Sequence, residues 1–329
     1  MRPWAPLALA LALAAPARAW RPFGEPSDGK VRPIQELNDA GKAREVLAAL
    51  TPEFIQTLRG TDLRQAYILM GDNHDRLGRP DAAVSDYQLG VSLFPKNVDL
   101  LSRLGMILHR EGLDEQAKPL FLRVLALEPH HGTAHQGLAE IDRKLGFLER
   151  SAEHYEATLE ILDTHADLWR DYAEVLLALR EVKTADLALR KSLELEPKSP
   201  DAHVLLAFAR RAQGDLGGAI DDLDAAYALG AGVGARRAKA LFLLEAGKMD
   251  EALAEANAVL AEVPGDGAAL WVRARTRLAR GDEDGAVRDL EQVKATEGGR
   301  NAFAAQAARA LAVAARQIRS GREDEFYRK

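Results

Sequence analysis

The 329-residue chain contains no cysteine, which excludes disulfides, thiolate metal sites and a lipid-anchored cysteine. Aromatic residues make up only 6% of it. No stretch alternates Val, Ile and Thr with polar residues at period two, so the ordinary signature of a β-sheet is missing. Positive charge is not in excess either. The formal net charge is −6, and such a chain has no electrostatic reason to condense on nucleic acid or anionic lipid. After the first residues no run is apolar for long enough to span a bilayer. There is no Asn-x-Ser/Thr sequon, in weak agreement with a bacterial envelope. What is present is 47% hydrophobic and 29% charged, and rich in Ala and Leu. That balance predicts a soluble all-α protein.

The N-terminus stands apart. Met1 and Arg2 give a short positive start, and Ala5 to Ala15 is a Leu/Ala run broken only by Pro6. As a helix this run rises only about 16 Å, too short for a bilayer core of about 30 Å. Pro16-Ala17-Arg18-Ala19 ends in the Ala-x-Ala that signal peptidase accepts. Residues 1–19 therefore read as a cleaved export signal, and the lack of a twin Arg favours the general secretory route. Cleavage removes Arg2 and Arg18 and takes the net charge from −6 to −8. The expected location is the periplasm, as a soluble protein without membrane insertion after cleavage; secretion is the alternative. Residues 20–33, rich in Pro, Gly and charge, read as a flexible leader. Residues 34–63 read as an irregular helical N-cap, with two helical stretches split at Thr51-Pro52.

The body of the chain repeats. LALEP at 125–129 returns as LELEP at 193–197, and Pro95, Pro129 and Pro197 fall at intervals of 34 and 68. Pro264 follows 67 residues later, so one unit has lost a residue. At the same interval a small residue recurs in a first helix: Gly71, Gly105, Ala139, Ala173, Ala207, Ala240 and Ala274. Another recurs early in a second helix: Ala83, Ala117, Ser151, Ala185, Ala219, Ala252 and Ala286. Between them stand Gly78, Gly112, Gly146, Gly214, Gly247 and Gly281, with Arg180 the exception. Small side chains facing each other let two helix axes approach, and a turn glycine ends the first helix in a left-handed conformation. Proline fixes where the second helix stops.

With Tyr67, Leu101 and Trp169 before the first small position, and Tyr87, Phe121, Tyr155, Leu189, Leu223 and Leu290 after the second, this pattern resembles the tetratricopeptide repeat. The resemblance covers seven units: 64–97, 98–131, 132–165, 166–199, 200–232, 233–266 and 267–300. It implies a right-handed α-solenoid of helix-turn-helix pairs. The last two units are degenerate, because Arg236, Lys239 and Arg273 stand where the family prefers bulky apolar groups. Phe303, Ala307, Leu311, Ala314 and Ile318 form one apolar stripe, so 301–320 reads as a capping helix and 321–329 as a tail.

Catalytic chemistry has little to stand on. GAGVG at 230–234 lacks the strand and the spacing of a dinucleotide loop and reads as an inter-repeat turn. His130, His131 and His135 are close, but no carboxylate or thiol stands at ligand spacing; a metal-binding accessory role is the weakest alternative. Asp221, Asp222 and Asp224 read as a solvated face. The expectation is a protein that is no enzyme and needs no cofactor or metal.

The resemblance places the first helices along a groove. Carried over by register, the groove positions of the fourth to seventh units are Arg170, Val204, Phe208, Arg211, Arg237, Leu241, Trp271 and Arg275. Apolar groups flanked by arginines suit a peptide or acidic segment of a protein partner. The earlier units offer a plainer set: Gln65, Asp72, Ser102, His109, Gln136, Glu140 and Arg143. Family members that clasp a C-terminal carboxylate use Lys and Asn; Ile68, Asp72 and Ser102 stand in that neighbourhood here, so that specificity is not carried over. The expected role is an interaction scaffold. A self-associating homo-oligomeric scaffold of an envelope or secretion complex is the alternative.

Overall fold

The computed structural model describes residues 29–295, 303 and 305–311. Helix is the only regular element among the described residues. Three short helices come first: α1 (Arg32–Asp39), α2 (Ala43–Ala49) and α3 (Pro52–Thr57). The pairs follow: α4 (Gly60–Arg76) and α5 (Pro80–Leu93), α6 (Val98–Arg110) and α7 (Asp114–Leu127), then α8 (Gly132–Lys144) and α9 (Leu148–Leu159). After these come α10 (Ala166–Ala178) and α11 (Val182–Leu195), then α12 (Pro200–Ala212) and α13 (Leu216–Ala228). The last pairs are α14 (Gly232–Glu245) with α15 (Met249–Glu262), and α16 (Gly267–Ala279) with α17 (Glu283–Ala295). The chain forms two compact units, the first ending at Lys144 and the second beginning at Leu145, inside the third repeat.

In the first unit, Val31, Ile34, Val46, Leu50 and Leu58 pack on Ala66 and Leu69 of α4. Val31 is buried and α1 begins at Arg32, so the segment expected as leader already belongs to the fold at its last residues. The N-cap has three helices where two were expected. Gly41, at φ 72°, turns the chain between the first two, and the Thr51 hydroxyl accepts from the Phe54 N–H at 3.2 Å to start the third.

The small residues of the repeat are buried at both recurring positions. Their use in the first unit differs from the expected meeting of glycine with alanine. A Cβ on Gly71 would stand 2.4 Å from the Tyr87 ring, and one on Gly105 would stand 2.7 Å from Phe121. Gly137 of α8 flanks the other edge of Phe121, where a Cβ would come within 2.4 Å. The missing side chains are filled by aromatic rings of the second helices, which bury more apolar surface than a glycine–alanine contact could.

Every turn glycine named above has a positive φ, and Arg180 takes φ 63° in the same place. Leu113 N–H bonds the Leu108 carbonyl at 2.8 Å and Gly112 N–H bonds His109 at 2.9 Å, closing a Schellman motif. Glu181 to Leu176 at 2.8 Å and Arg180 to Leu177 at 3.1 Å repeat it without glycine. The turn therefore holds its shape against the Cβ strain of a left-handed arginine, about 1–2 kcal/mol. GAGVG is a helix end followed by a helix start: Gly230 closes α13 at φ 97° and α14 opens at Gly232.

The second unit builds its core from Leu223, Phe242, Leu243, Val259, Leu270, Val272 and Leu290. Its degenerate repeats replace apolar contacts with ion pairs. Arg236 and Lys239 meet Glu255 at 3.1 and 2.9 Å, and Arg273 and Arg277 share Asp289 at 2.8 and 2.7 Å. One contact to an aspartate holds a fixed register across repeats: His74 lies 2.6 Å from Asp86, Arg210 pairs with Asp222 at 2.8 Å, and Arg277 with Asp289. Trp169, the bulky residue before the small position of the fourth repeat, is half-buried, and its indole donates to the Asp163 carbonyl at 2.7 Å. Residues 305–311 are helical, and Phe303, Ala307 and Leu311 pack on this core. Ala314, Ile318, the proposed signal and the tail lie outside the described residues.

Candidate functional site

The second unit presents a face made by the first helices α10, α12, α14 and α16, in which α10 touches α12 and α14 touches α16. All eight residues expected on a groove lie on these helices, and none is fully buried. Val204, Leu241 and Trp271 rest on the core with part of their surface outside. Phe208 is 41% exposed and meets buried Phe242 edge-to-face, with ring centroids 5.4 Å apart. Arg211 lies over the same Phe242 ring at 5.1 Å. The result is a small aromatic platform with a guanidinium along one side, a geometry that cation–π attraction favours.

The arginines are less available than the sequence suggested. Arg170 binds Asp167 and Asp171 on its own helix at 2.7 and 2.9 Å. Arg211 holds Glu245 at 2.6 Å. Arg237 holds Asp266 at 2.6 Å, and Asp266 also caps α16 by accepting from the Ala269 N–H at 2.9 Å. Among the described residues Arg275 has no carboxylate partner; it lies 5.7 Å from the centre of the Trp271 ring. Trp271 itself stacks on Phe303 at 6.2 Å, so that ring covers one side of it. On this face Phe208 and Leu241 are thus apolar groups with surface outside the core, and Arg275 is the arginine without a carboxylate partner among the described residues.

The matching face of the first unit is closed on itself. Asp72 accepts from the Tyr87 hydroxyl at 2.6 Å and from Arg103 at 2.5 Å. Burial pushes the Tyr87 phenol well above its usual range, and the Asp72 charge adds to the shift. Ser102 and His109 are buried, and Gln65 donates to Gln35 at 3.0 Å. Gln136 donates to Glu140 at 2.9 Å. A cleft of ≈ 380 Å³ opens beside Asp72, Tyr87, Ser102, Arg103 and Arg110. Arg110 pairs with Asp75 across the same repeats. The charges here are spent on holding helices together.

The histidine cluster has a structural use. His131 Nδ1 accepts from the Ala134 N–H at 3.2 Å at the start of α8, and His135 Nε2 lies 2.9 Å from the Pro129 carbonyl. Among the described residues no three His, Cys, Asp or Glu side chains are grouped to hold a metal ion, and no helix is long and apolar enough to cross a membrane. Sequence reasoning missed Phe242, on which the platform rests, although it is an aromatic at the apolar spacing of α14. It also missed the Trp271–Phe303 stack, which no interval within the repeats could signal.

Comparison with known proteins finds the tetratricopeptide repeat. Sequence profiles of the tetratricopeptide repeat match residues 65–97, 171–233 and 237–300. Human tetratricopeptide repeat protein 7B is 27% identical over 138 residues, covering 42% of this chain and 16% of that protein. Tetratricopeptide repeat protein 8 of Caenorhabditis elegans is 20% identical over 207 residues, covering 52% of this chain and 41% of that protein. The chain thus spans well under half the length of either curated relative. The crystal structure of a tetratricopeptide repeat protein from Parabacteroides merdae superposes with a TM-score of 0.52 at 18% identity, covering 76% of this chain and 98% of that one.

Proposed function

We propose that this chain, a solenoid of tetratricopeptide repeats, is a periplasmic scaffold that grips a protein segment on the first helices of its fourth to seventh repeats. The fold favours protein partners, and the relatives and structures it matches are repeat proteins of the same kind. One observation carries the site: Phe208 stands partly in solvent on a buried ring, with Arg211 over that ring. Exposed aromatics beside arginine are the residue types that dominate binding energy at interfaces. An extended segment with an apolar side chain for the platform and a carboxylate for Arg275 fits the chemistry. The Ala-x-Ala ending at Ala19 supports export, which brings this surface into the periplasm.

The test uses the full chain with a C-terminal tag, recovered from the periplasmic fraction with its partners. Phe208→Ala combined with Arg275→Glu is expected to lose the partner while the melting temperature stays near wild type. Partner recovery that survives this pair of changes overturns the groove. Fractionation tests the location separately: a full-length tagged chain that stays in the cytoplasm with residues 1–19 intact removes the export reading.

A further inference from the structure

In the first unit a titratable ring is closed off between two repeats. The His109 side chain, near the end of α6, is only 6% exposed. Its Nδ1 lies 2.5 Å from Asp114 of α7, and its Nε2 lies 2.9 Å from Glu140 of α8. An imidazole donates from both nitrogens only when protonated, and the neutral ring must aim one lone pair at a carboxylate. Neither carboxylate is idle. Asp114 accepts from Lys144 at 3.3 Å and Glu140 accepts from Gln136 at 2.9 Å.

The charged groups that bear on the ring are Asp114 from α7 and Glu140 and Lys144 from α8; Arg143 bears on Glu140. The hydrogen bond to Glu140 is the largest influence and holds the imidazole above its usual range. Burial opposes it, the Asp114 bond adds to it, and Lys144 subtracts a little. For both carboxyls burial pushes upward, and the bonds from His109 and its neighbours outweigh that, leaving each below its usual range.

We infer that His109 is a protonation-dependent latch, which in its charged form ties α8 to the second repeat and on losing its proton lets that helix loosen. A histidine with a raised folded-state value gives stability that is complete below its ordinary pKa of about 6.5 and lost as pH rises through the raised value. The depressed carboxylates set the other edge, since their contribution is lost as pH falls through their own range. Between these limits α8 is held, and with it Gln136 and Glu140 on the first-helix face of the third repeat.

The test is an NMR titration of the histidines in the full chain, with His109→Gln to assign the signal, beside amide exchange of residues 132–144 from pH 6 to pH 9. The expected result is a His109 midpoint above those of the exposed histidines. Protection of α8, corrected for intrinsic exchange, should fall with pH by about tenfold per unit of pKa displacement. In His109→Gln that pH dependence should vanish. Should this variant fail to fold, Glu140→Gln serves instead, moving both the His109 midpoint and the loss of protection to lower pH together. A His109 midpoint at or below the ordinary value overturns the latch. So does α8 protection with the same pH profile in wild type and variant.

Discussion

His109 and Arg211 occupy the same position of the repeat, three repeat lengths apart, and each pairs with the following first helix: His109 with Glu140, and Arg211 with Phe242, one position past the counterpart of Glu140. In the first unit this pair is a buried imidazole bonded to a carboxylate at 2.9 Å. In the second it is a guanidinium over a phenyl ring at 5.1 Å, and the Arg211 side chain is 44% exposed. One scaffold address is used once to close a junction and once to leave a surface open. The difference lies in desolvation. A charge shut away between repeats must find partners there, whereas an arginine on a surface ring keeps part of itself in water, even while it pairs with Glu245 at 2.6 Å. Position in a repeat thus fixes which helix face a residue joins, and residue chemistry fixes whether that face is closed internally or left exposed.

The strongest way to break this comparison is to empty the ring position of the second unit. Phe242→Ala should cost about 4 kcal/mol, because a fully buried aromatic leaves a cavity under Phe208 and Arg211. Denaturant unfolding measures it, and the loss should not vary between pH 6 and pH 9. A loss below about 1 kcal/mol would mean the ring is not the support of the platform.

Next in size is a change that asks why the first unit needs glycine. Phe121 lies between Gly105 and Gly137, whereas the corresponding residues of the second unit are Leu223, Ala207 and Ala238. A branched leucine leaves room for alanine where a phenyl ring does not. Gly137→Ala should therefore cost about 3 kcal/mol, the upper end for overpacking, since its Cβ would meet the ring at 2.4 Å. Adding Phe121→Leu should restore part of the loss; no rescue in the double variant would detach the glycine from the ring.

Glu140→Ala comes third, at about 2 kcal/mol for a charge-assisted hydrogen bond. Its sign with pH separates it from Phe242→Ala. The cost should be full at pH 6, where His109 is charged, and should shrink as pH rises through the raised imidazole value. Equal costs at pH 6 and pH 9 would erase the electrostatic half of the comparison.

The fold was legible because its signals are local and periodic: Gly78, Ala83 and Tyr87 each answer to one backbone or packing demand that returns every 34 residues. The placement of Phe208 and Arg275 on first helices was legible for the same reason, since register alone gives it. What register cannot read is who partners whom. Arg237 looked available until Asp266, which caps the next first helix, was found 2.6 Å away. His109 looked like plain polar surface because Asp114 and Glu140 reach it from two different repeats. Trp271 is covered by Phe303, a residue outside the repeat pattern. Ion pairs between repeats depend on two positions at once, and a one-dimensional interval shows each only singly.

A smaller effect tests whether the turns of the two units are interchangeable. Arg180 holds φ 63° where the other repeats have glycine. Arg180→Gly relieves the left-handed strain and adds unfolded-state entropy, so the net gain should be about 0.5–1 kcal/mol. Thermal unfolding that moves downward instead would show that the arginine side chain earns its place at this turn.

The smallest expected change in stability is at Phe208, and that smallness is the point. Its ring gives an edge-to-face contact worth about 0.5–1.5 kcal/mol and leaves 41% of its surface in water. Phe208→Ala should therefore lower stability by about 1 kcal/mol or less, far below Phe242→Ala beneath it. If Phe208 is an anchor for a partner, the same change should weaken capture by tenfold or more, because aromatic anchors carry a disproportionate share of binding energy. Stability and capture then move apart at Phe208 and together at Phe242. A partner held equally well by wild type and Phe208→Ala, at unchanged stability, would make the exposed ring an idle one and leave the second unit's face as closed to partners as the first.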